Sequence, residues 1–369
     1  MWLMIVGLAV VAVTHTARLD VLARLVRPTL LAAVLLPWPR QAAGAQAAAA
    51  APDAFAFLRP TVIVTQAERQ QLARGEPVAR VLPAPGREVT VFAAVRVAID
   101  PDRLLDWVRA MPRFKQSRYV QAIARFSDPP RVEDLAALAL DDGDLEAMRD
   151  CQPGACGVKL SAAEMDRLRR AAADAGAAWK PALTQAFREV VLGRVQAYAT
   201  GGHAALEPIA DRRQPYALDA RFASLLEHTA FLTQGLAPFA EALARHPASN
   251  PAAVESFLYW SKEGVSGKPI VSVTHTAIAR YDDAARPEVL VAGKGVFATH
   301  YVTASLGLTA LVRDADGSRY LVYMNRSEVD VLGGVFGGLA RTFMERRLKS
   351  ESAEILRGLR TRLEGGPPS

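Results

Sequence analysis

The stretch LGLTALVRDADGSRYLVYMN, residues 306–325, decides the fold of this chain. Its two arms are rich in apolar, β-branched and aromatic residues, which favour strands. Asp314-Ala-Asp-Gly317 lies between them and is typical of the turn of an antiparallel hairpin. Two further strand-like runs come before it, at Pro269–Tyr281 and Val289–Ala304. The last third of the chain therefore predicts an antiparallel meander.

An amphipathic helix is predicted after the meander, over Leu339–Leu363, where apolar residues recur at helical spacing. Near the other end of the chain, alternating apolar residues predict a strand over Glu88–Ile99. Asp100-Pro101 follows it and is typical of a helix start, so we expect a helix over Pro101–Met111. Tyr119–Phe126 predicts another strand.

The middle of the chain is predicted to be helical. Ser161-Ala-Ala-Glu164 is a capping box, and a helical pattern with breaks continues from Ala178 to Arg245. A last helix of this part is predicted over Ala252–Glu263. We therefore expect one α+β domain over residues 59–365 that contains a helical insertion at about residues 130–265.

The N-terminal part predicts a cleavable export signal over residues 1–45. Arg24 and Arg27 precede the apolar stretch Thr29–Trp38, and Ala43-Gly44-Ala45 gives small residues where signal peptidase requires them. We expect the mature protein to be periplasmic or secreted, with no membrane span. A retained membrane anchor is the alternative, and the prolines in this region argue against it.

Residues 1–20 carry no basic residue ahead of their apolar run, so a later start near Val21 or Leu25 is also open. Residues 46–58 are predicted to be a flexible, alanine-rich linker. The formal charge of the whole chain is +6, and cleavage would reduce it by about half. This charge, without a dense basic patch, argues against nucleic acid as a partner.

Cys151 and Cys156 enclose the sequence Gln-Pro-Gly-Ala, which is typical of a tight turn. The spacing does not fit Cys-x-x-Cys redox motifs or zinc sites. In an oxidising compartment we expect a structural disulfide between them, and a redox-active pair is the alternative.

The segment Tyr320–Asp330 and the helix after it resemble the end of START-like, helix-grip domains. The section Trp260–Asp330 also resembles uncharacterised exported bacterial proteins, through Lys268–His275, Thr299–Tyr301 and Asn325–Ser327. The first resemblance implies a curved antiparallel sheet that wraps the last helix and encloses an apolar cavity. It implies no reaction, and the helical insertion is longer than a minimal helix-grip domain contains.

His275 and His300 are the first candidates for a site. Both fall in predicted consecutive strands, so a suitable register would bring their Cβ atoms within roughly 5 Å of each other, close enough to share a metal or a ligand. The alternative is two histidines with separate partners. Because no Asp, Glu or Cys at ligand spacing completes a site, no metal is predicted.

Tyr301, Asn325 and Arg326 complete the set expected to contact a ligand. Arg326 could bind a carboxylate or phosphate head group through two hydrogen bonds. Alternatively, it ties a strand end to the following helix. The glycines before the C-terminal helix match neither a P-loop nor a dinucleotide-binding motif, so no cofactor is predicted.

Three functions are compatible with these observations. The first is binding of a lipid or another apolar small molecule in a START-like cavity. The second is an envelope protein that binds a partner through its helical insertion, and the third is a histidine-dependent hydrolase. We rank binding first, because small residues are predicted to face the sheet and to leave room beside it. These residues are Ala292, Ala298, Ala304, Gly307 and Ala310.

Overall fold

The computed structural model of the protein describes residues 53–249, 251, 253–264, 268–333 and 337–368. The predicted export signal lies outside the described residues, as does the linker before residue 53.

Within the described residues, one antiparallel sheet of eight strands organises the fold, which confirms the predicted α+β class and the C-terminal meander. The strand order is β1-β2-β8-β7-β6-β5-β4-β3, so that β1 and β3 are the edges of an open sheet. The strands are β1 Val78–Leu82, β2 Glu88–Val97, β3 Val120–Arg125, β4 Val254–Glu263, β5 Ile270–Arg280, β6 Val289–Ala298, β7 Val302–Arg313 and β8 Arg319–Val329.

Helices cover both faces of this sheet. The α-helices are α1 Gln66–Ala73, α2 Pro101–Arg109, α3 Met111–Phe114, α4 Asp142–Arg149, α5 Ala162–Ala175, α6 Trp179–Gly201, α7 Leu218–Glu227, α8 Ala237–Ala244 and α9 Gly337–Glu364. Shorter 3-10 helices include Val132–Leu135 and Gly202–Ala205, and a π-helical turn spans Phe231–Gly235. Ser161 caps α5 through the predicted capping box with Glu164.

The prediction of a helix over residues 252–263 is wrong, because this segment forms β4. Tyr259 and Trp260 are adjacent in the strand, yet both are buried, in the cores on opposite faces of the sheet. A strand buried on both faces loses its period-two pattern and resembles a buried helix in sequence. The run at Val62–Thr65 is extended but belongs to no strand, and it leads to Thr65, which caps α1.

Alternate residues of the strands define two faces. On the first, which we call the C-terminal face, α2, α3 and α9 pack against the sheet, and α9 lies along β1 and β2. On the second, the insertion face, α7, the π-helical turn and α8 pack against the middle of the sheet. Helices α5 and α6 cover the end formed by β3 to β6 on this same face.

Ala292, Ala304 and Ala310 are on the insertion face, in the core formed with α7 and α8. They therefore do not face α9, as the prediction of a cavity beside that helix assumed. Small side chains at these positions let the insertion helices approach the sheet closely.

Candidate functional site

A single cross-strand row on the insertion face carries three basic residues. His275 on β5 is opposite Lys294 on β6, Lys294 is opposite Leu306 on β7, and Leu306 is opposite Arg326 on β8. Residues directly opposite one another in a sheet point to the same face. The sheet therefore places two of the predicted residues, His275 and Arg326, on one face with a lysine between them.

Lys294 is fully buried between β6 and the insertion helices. Its Nζ donates a hydrogen bond of 2.8 Å to the carbonyl of Leu243 in the last turn of α8. The rings of Phe222 and Tyr198 lie 4.5 and 5.3 Å from Nζ. Among the described residues, no carboxylate is within ion-pair distance of this ammonium. Burial lowers the pKa of Lys294 to about 7, against a smaller upward effect of Asp219.

Three imidazoles surround this lysine. Nδ1 of His275 is 2.9 Å from the hydroxyl of Tyr198, and the ring of His246 lies 4.1 Å from that of His275. Nε2 of His203 donates to the carbonyl of Gly295 at 3.1 Å. Burial is the main cause that lowers all three histidine pKa values, that of His246 to about 4 and the other two well below the usual 6.5. The histidines are therefore neutral at pH 7.

Gly202 lets the chain fold back against this cluster. Its φ is +66°, and a Cβ built on it would overlap the carbonyl oxygen of His246. Only glycine supports both this conformation and this close approach. The Gly201-Gly202 break in the helical pattern thus brings the end of α6 and His203 against the segment that carries His246.

A pocket of about 630 Å³ opens above the cluster, between the end of α6, α7, α8 and β6. Apolar side chains contribute most of its wall, and acidic, basic and hydroxyl groups are interspersed among them. The lining residues are Thr200, Gly201, His203, Ala204, Asp219, Phe222, Ala223, Leu226, Glu227, Thr233, Ala244, Arg245, His246, Pro247, Ala248 and Lys294. The pocket can accept a small organic molecule and present a buried amine to it.

His300 does not join His275. It lies in the turn after β6, where its Nε2 is 3.0 Å from Oδ1 of Asp144 on α4. Thr299 pairs with Val271 through its backbone, so the register separates the two histidines by roughly 15 Å along the sheet. The register does not bring the two histidines together, and each has its own partner, which agrees with the alternative stated for them. Tyr301 is in the same turn and has a φ of +60°.

The other two predicted residues occupy opposite faces. Arg326 is buried and donates to Oε2 of Glu88 at 2.8 Å, while His228 binds Oε1 of the same carboxylate at 2.7 Å. This agrees with the structural alternative for Arg326, although its partner is Glu88. Asn325 is on the C-terminal face, where its Oδ1 accepts from the hydroxyl of Ser327.

Sequence reasoning missed Lys294, Tyr198 and His246. A signal existed for the first, since Gly293-Lys294-Gly295 interrupts an otherwise apolar strand with a charge. A lysine is almost never fully buried without a partner, so a lysine in a core strand indicates a special environment. Tyr198 carries no such signal, because its place on a buried helix face is that of an ordinary core residue.

In the part of the chain that the structure describes, no three His, Cys, Asp or Glu side chains are placed to hold a metal ion. None of the helices described is both long and apolar enough to cross a bilayer. Comparisons with family models, with curated proteins and with solved structures gave no match to this chain.

Proposed function

We propose that the protein is an exported binding protein for a small organic molecule, which occupies the pocket above Lys294. One observation carries this proposal: a fully buried lysine without a carboxylate partner among the described residues lines a pocket of about 630 Å³. Pockets of roughly 300 to 1,000 Å³ with apolar walls and a few polar groups are typical of small-molecule sites.

The lining suggests the chemistry of the ligand. Phe222 and Leu226 favour an apolar body, and Lys294 retains N–H groups beyond the one that binds Leu243. A carbonyl or carboxylate oxygen of the ligand could accept a hydrogen bond from one of these N–H groups. Asp219 and Glu227 on α7 and Arg245 after α8 are exposed, so the entrance of the pocket carries charges of both signs.

Export is the setting that we propose for this function. Cys151 and Cys156 form a disulfide with Cα atoms 4.6 Å apart, within the usual range for such bonds. Disulfides persist in oxidising compartments, which supports the predicted export signal. Among the described residues, Ile63 is the exposed large hydrophobic side chain, and it lies outside the insertion, so the partner-binding alternative gains no support there.

Native mass spectrometry of the protein from a periplasmic preparation tests the proposal. We expect an added mass that disappears on denaturation. Ala223→Trp would fill the pocket from the exposed side of α7, and it should abolish the added mass. Ala220→Trp is the matched control, because Ala220 is exposed on the same helix and does not line the pocket.

A bare polypeptide mass for the wild type, when screened also against a library of apolar carbonyl and carboxylate compounds, would contradict binding in this pocket. Retention of the ligand by Ala223→Trp would place it elsewhere.

The START-like cavity predicted from the resemblance is a second location for a ligand. The row Thr276, Gly293, Gly307 and Asn325 on the C-terminal face supports it, because two of its four positions carry no side chain. Nδ2 of Asn325 is also buried without a partner. A ligand that survives Ala223→Trp but is lost in Asn325→Leu would favour this location and the wrapped-sheet architecture.

A further inference from the structure

Lys294 differs from the other buried lysines among the described residues. Lys115 pairs with Glu263, Lys159 pairs with Asp211 and Asp330, and Lys262 pairs with Asp141. In each of these, a carboxylate lies beside the charged ammonium, and the pKa values of Lys115 and Lys159 are raised despite burial. Lys294 has a backbone carbonyl and two aromatic rings instead. The same fold therefore provides carboxylates for three buried lysines, whereas no carboxylate of the described residues is within ion-pair distance of the lysine beside the pocket.

We propose that Lys294 forms an imine with an aldehyde or ketone of apolar body bound in this pocket, an inference that rests on the proposed function. The ligand class is thus a carbonyl compound, held covalently and reversibly through Nζ. Burial of Nζ away from water, with no carboxylate of the described residues beside it, favours a neutral amine, which is the nucleophilic form.

The chemistry is balanced by groups already present. The lone pair of neutral Nζ attacks the carbonyl carbon, a C–N bond forms, and the carbonyl oxygen takes up a proton to give a carbinolamine. Loss of that oxygen as water, with the second nitrogen proton, gives the imine, so that one amine and one carbonyl yield one imine and one water. No oxidant or reductant is required. The two protons that leave the nitrogen are the two that the oxygen gains, so the step needs no proton from another source.

Alternatively, Lys294 has a purely structural role and links β6 to the end of α8 through its hydrogen bond to Leu243. A cation that binds the last carbonyls of a helix interacts favourably with the helix dipole, and Leu243 is in the last turn of α8. This structural role requires neither access to Nζ from the pocket nor a neutral amine. Reactivity toward a carbonyl probe therefore separates the two roles.

The test uses benzaldehyde with sodium cyanoborohydride, which reduces an imine to a stable benzylamine, on the oxidised full chain. Peptide mass mapping then gives the labelling rate of each lysine. The pKa of Lys294 near 7 implies a much larger neutral fraction at pH 7 than for an ordinary lysine, so we expect labelling on the order of tenfold or more faster than at exposed Lys349. The Lys294 rate should level off above pH 7, whereas the Lys349 rate should keep rising to pH 9.

Ala223→Trp should lower the labelling rate of Lys294 by about tenfold or more. In Ala220→Trp the labelling rate of Lys294 should equal that of the wild type, and the rate of Lys349 should be the same in both variants. Lys294→Met should remove the adduct at this position, while the labelling rate of Lys349 stays unchanged. Labelling of Lys294 no faster than of Lys349 would overturn the imine. If native mass spectra then still show a ligand that Ala223→Trp removes, the binding function stands; if they do not, both proposals fail.

Discussion

His275 on β5 and Lys294 on β6 face each other across the sheet, and both are buried on the insertion face. Burial lowers the pKa of both groups, and the nearby His246 and Lys294 lower that of His275 further. The interior below the pocket is thus built to contain titratable groups that are mostly uncharged near pH 7. Two consequences for stability can be measured.

Lys294→Met should stabilise the protein in a pH-dependent way. The lysine has a pKa of about 7 when folded and 10.5 as its reference value, so the unfolded chain binds more protons than the folded protein between these values. The stability of the wild type therefore rises with pH across this window, and the full cost of burying the charge is present below pH 7. We expect the advantage of the variant to shrink by roughly 2 to 3 kcal/mol between pH 6 and pH 9.

Urea unfolding at several pH values measures this difference. Lys349→Met is the control, because Lys349 is exposed and its replacement should change stability equally at all pH values. A difference between Lys294→Met and the wild type that does not depend on pH would show that Lys294 stays charged in the folded protein.

His246 should make the protein sensitive to mild acid. Its pKa falls from 6.5 to about 4 on folding. As the pH falls below 6.5, His246 therefore takes up a proton in the unfolded chain before it does so in the folded protein. The folded state loses stability progressively from there to about pH 4. His246→Gln should remove about 1 kcal/mol of the loss measured by urea unfolding between pH 7 and pH 5, after discounting for its partial exposure. An NMR titration in which His246 has a pKa near 6.5 would contradict this prediction.

The C-terminal part of the fold could be predicted because its signals are local. The Asp314–Gly317 turn fixes the β7–β8 hairpin, and the amphipathic pattern gives α9. The β4 segment could not be predicted in the same way, since its partners β3 and β5 are set by pairing over long distances and both its faces are buried. The short edge strand β1 has too few residues for a periodic signal.

Of the residues that the sequence predicts for a site, only some lie together, for a related reason. His275 and Arg326 were chosen from their residue types, and the register places them in one row with Lys294. The partners of this row come from α6, α7 and the segment after α8, which are distant in sequence. Nothing local to residue 198 or 246 indicates that it packs against β5. Contacts of this kind depend on how the insertion docks on the sheet.

The disulfide between Cys151 and Cys156 should contribute measurably to stability. The loop that it closes is held against the segment around Ala210, since Gly154 N–H donates to Ala210 O at 2.8 Å. A cross-link that closes so short a loop removes about 2 kcal/mol of chain entropy from the unfolded state. We expect Cys151→Ala/Cys156→Ala to lose about this much in urea unfolding. A redox-active pair would instead be reduced readily by glutathione with little change in stability.

Glu88 and Arg326 form a buried ion pair, and removal of either partner alone should destabilise the protein. Arg326 is 4% exposed and its side chain reaches Glu88 at 2.8 Å, so Glu88→Leu leaves a buried guanidinium without its carboxylate. Removal of one partner of such a pair costs about 3 to 5 kcal/mol, while replacement of both by apolar residues is often close to neutral. We therefore expect Glu88→Leu to be strongly destabilising, and Glu88→Leu/Arg326→Met to recover most of the loss.

His228→Ala is the control, because His228 binds the same carboxylate from an exposed position. This replacement should cost less than about 1 kcal/mol. If Glu88→Leu loses no more stability than His228→Ala in urea unfolding, Arg326 is not held by this pair and is available to a ligand, as its sequence context first suggested.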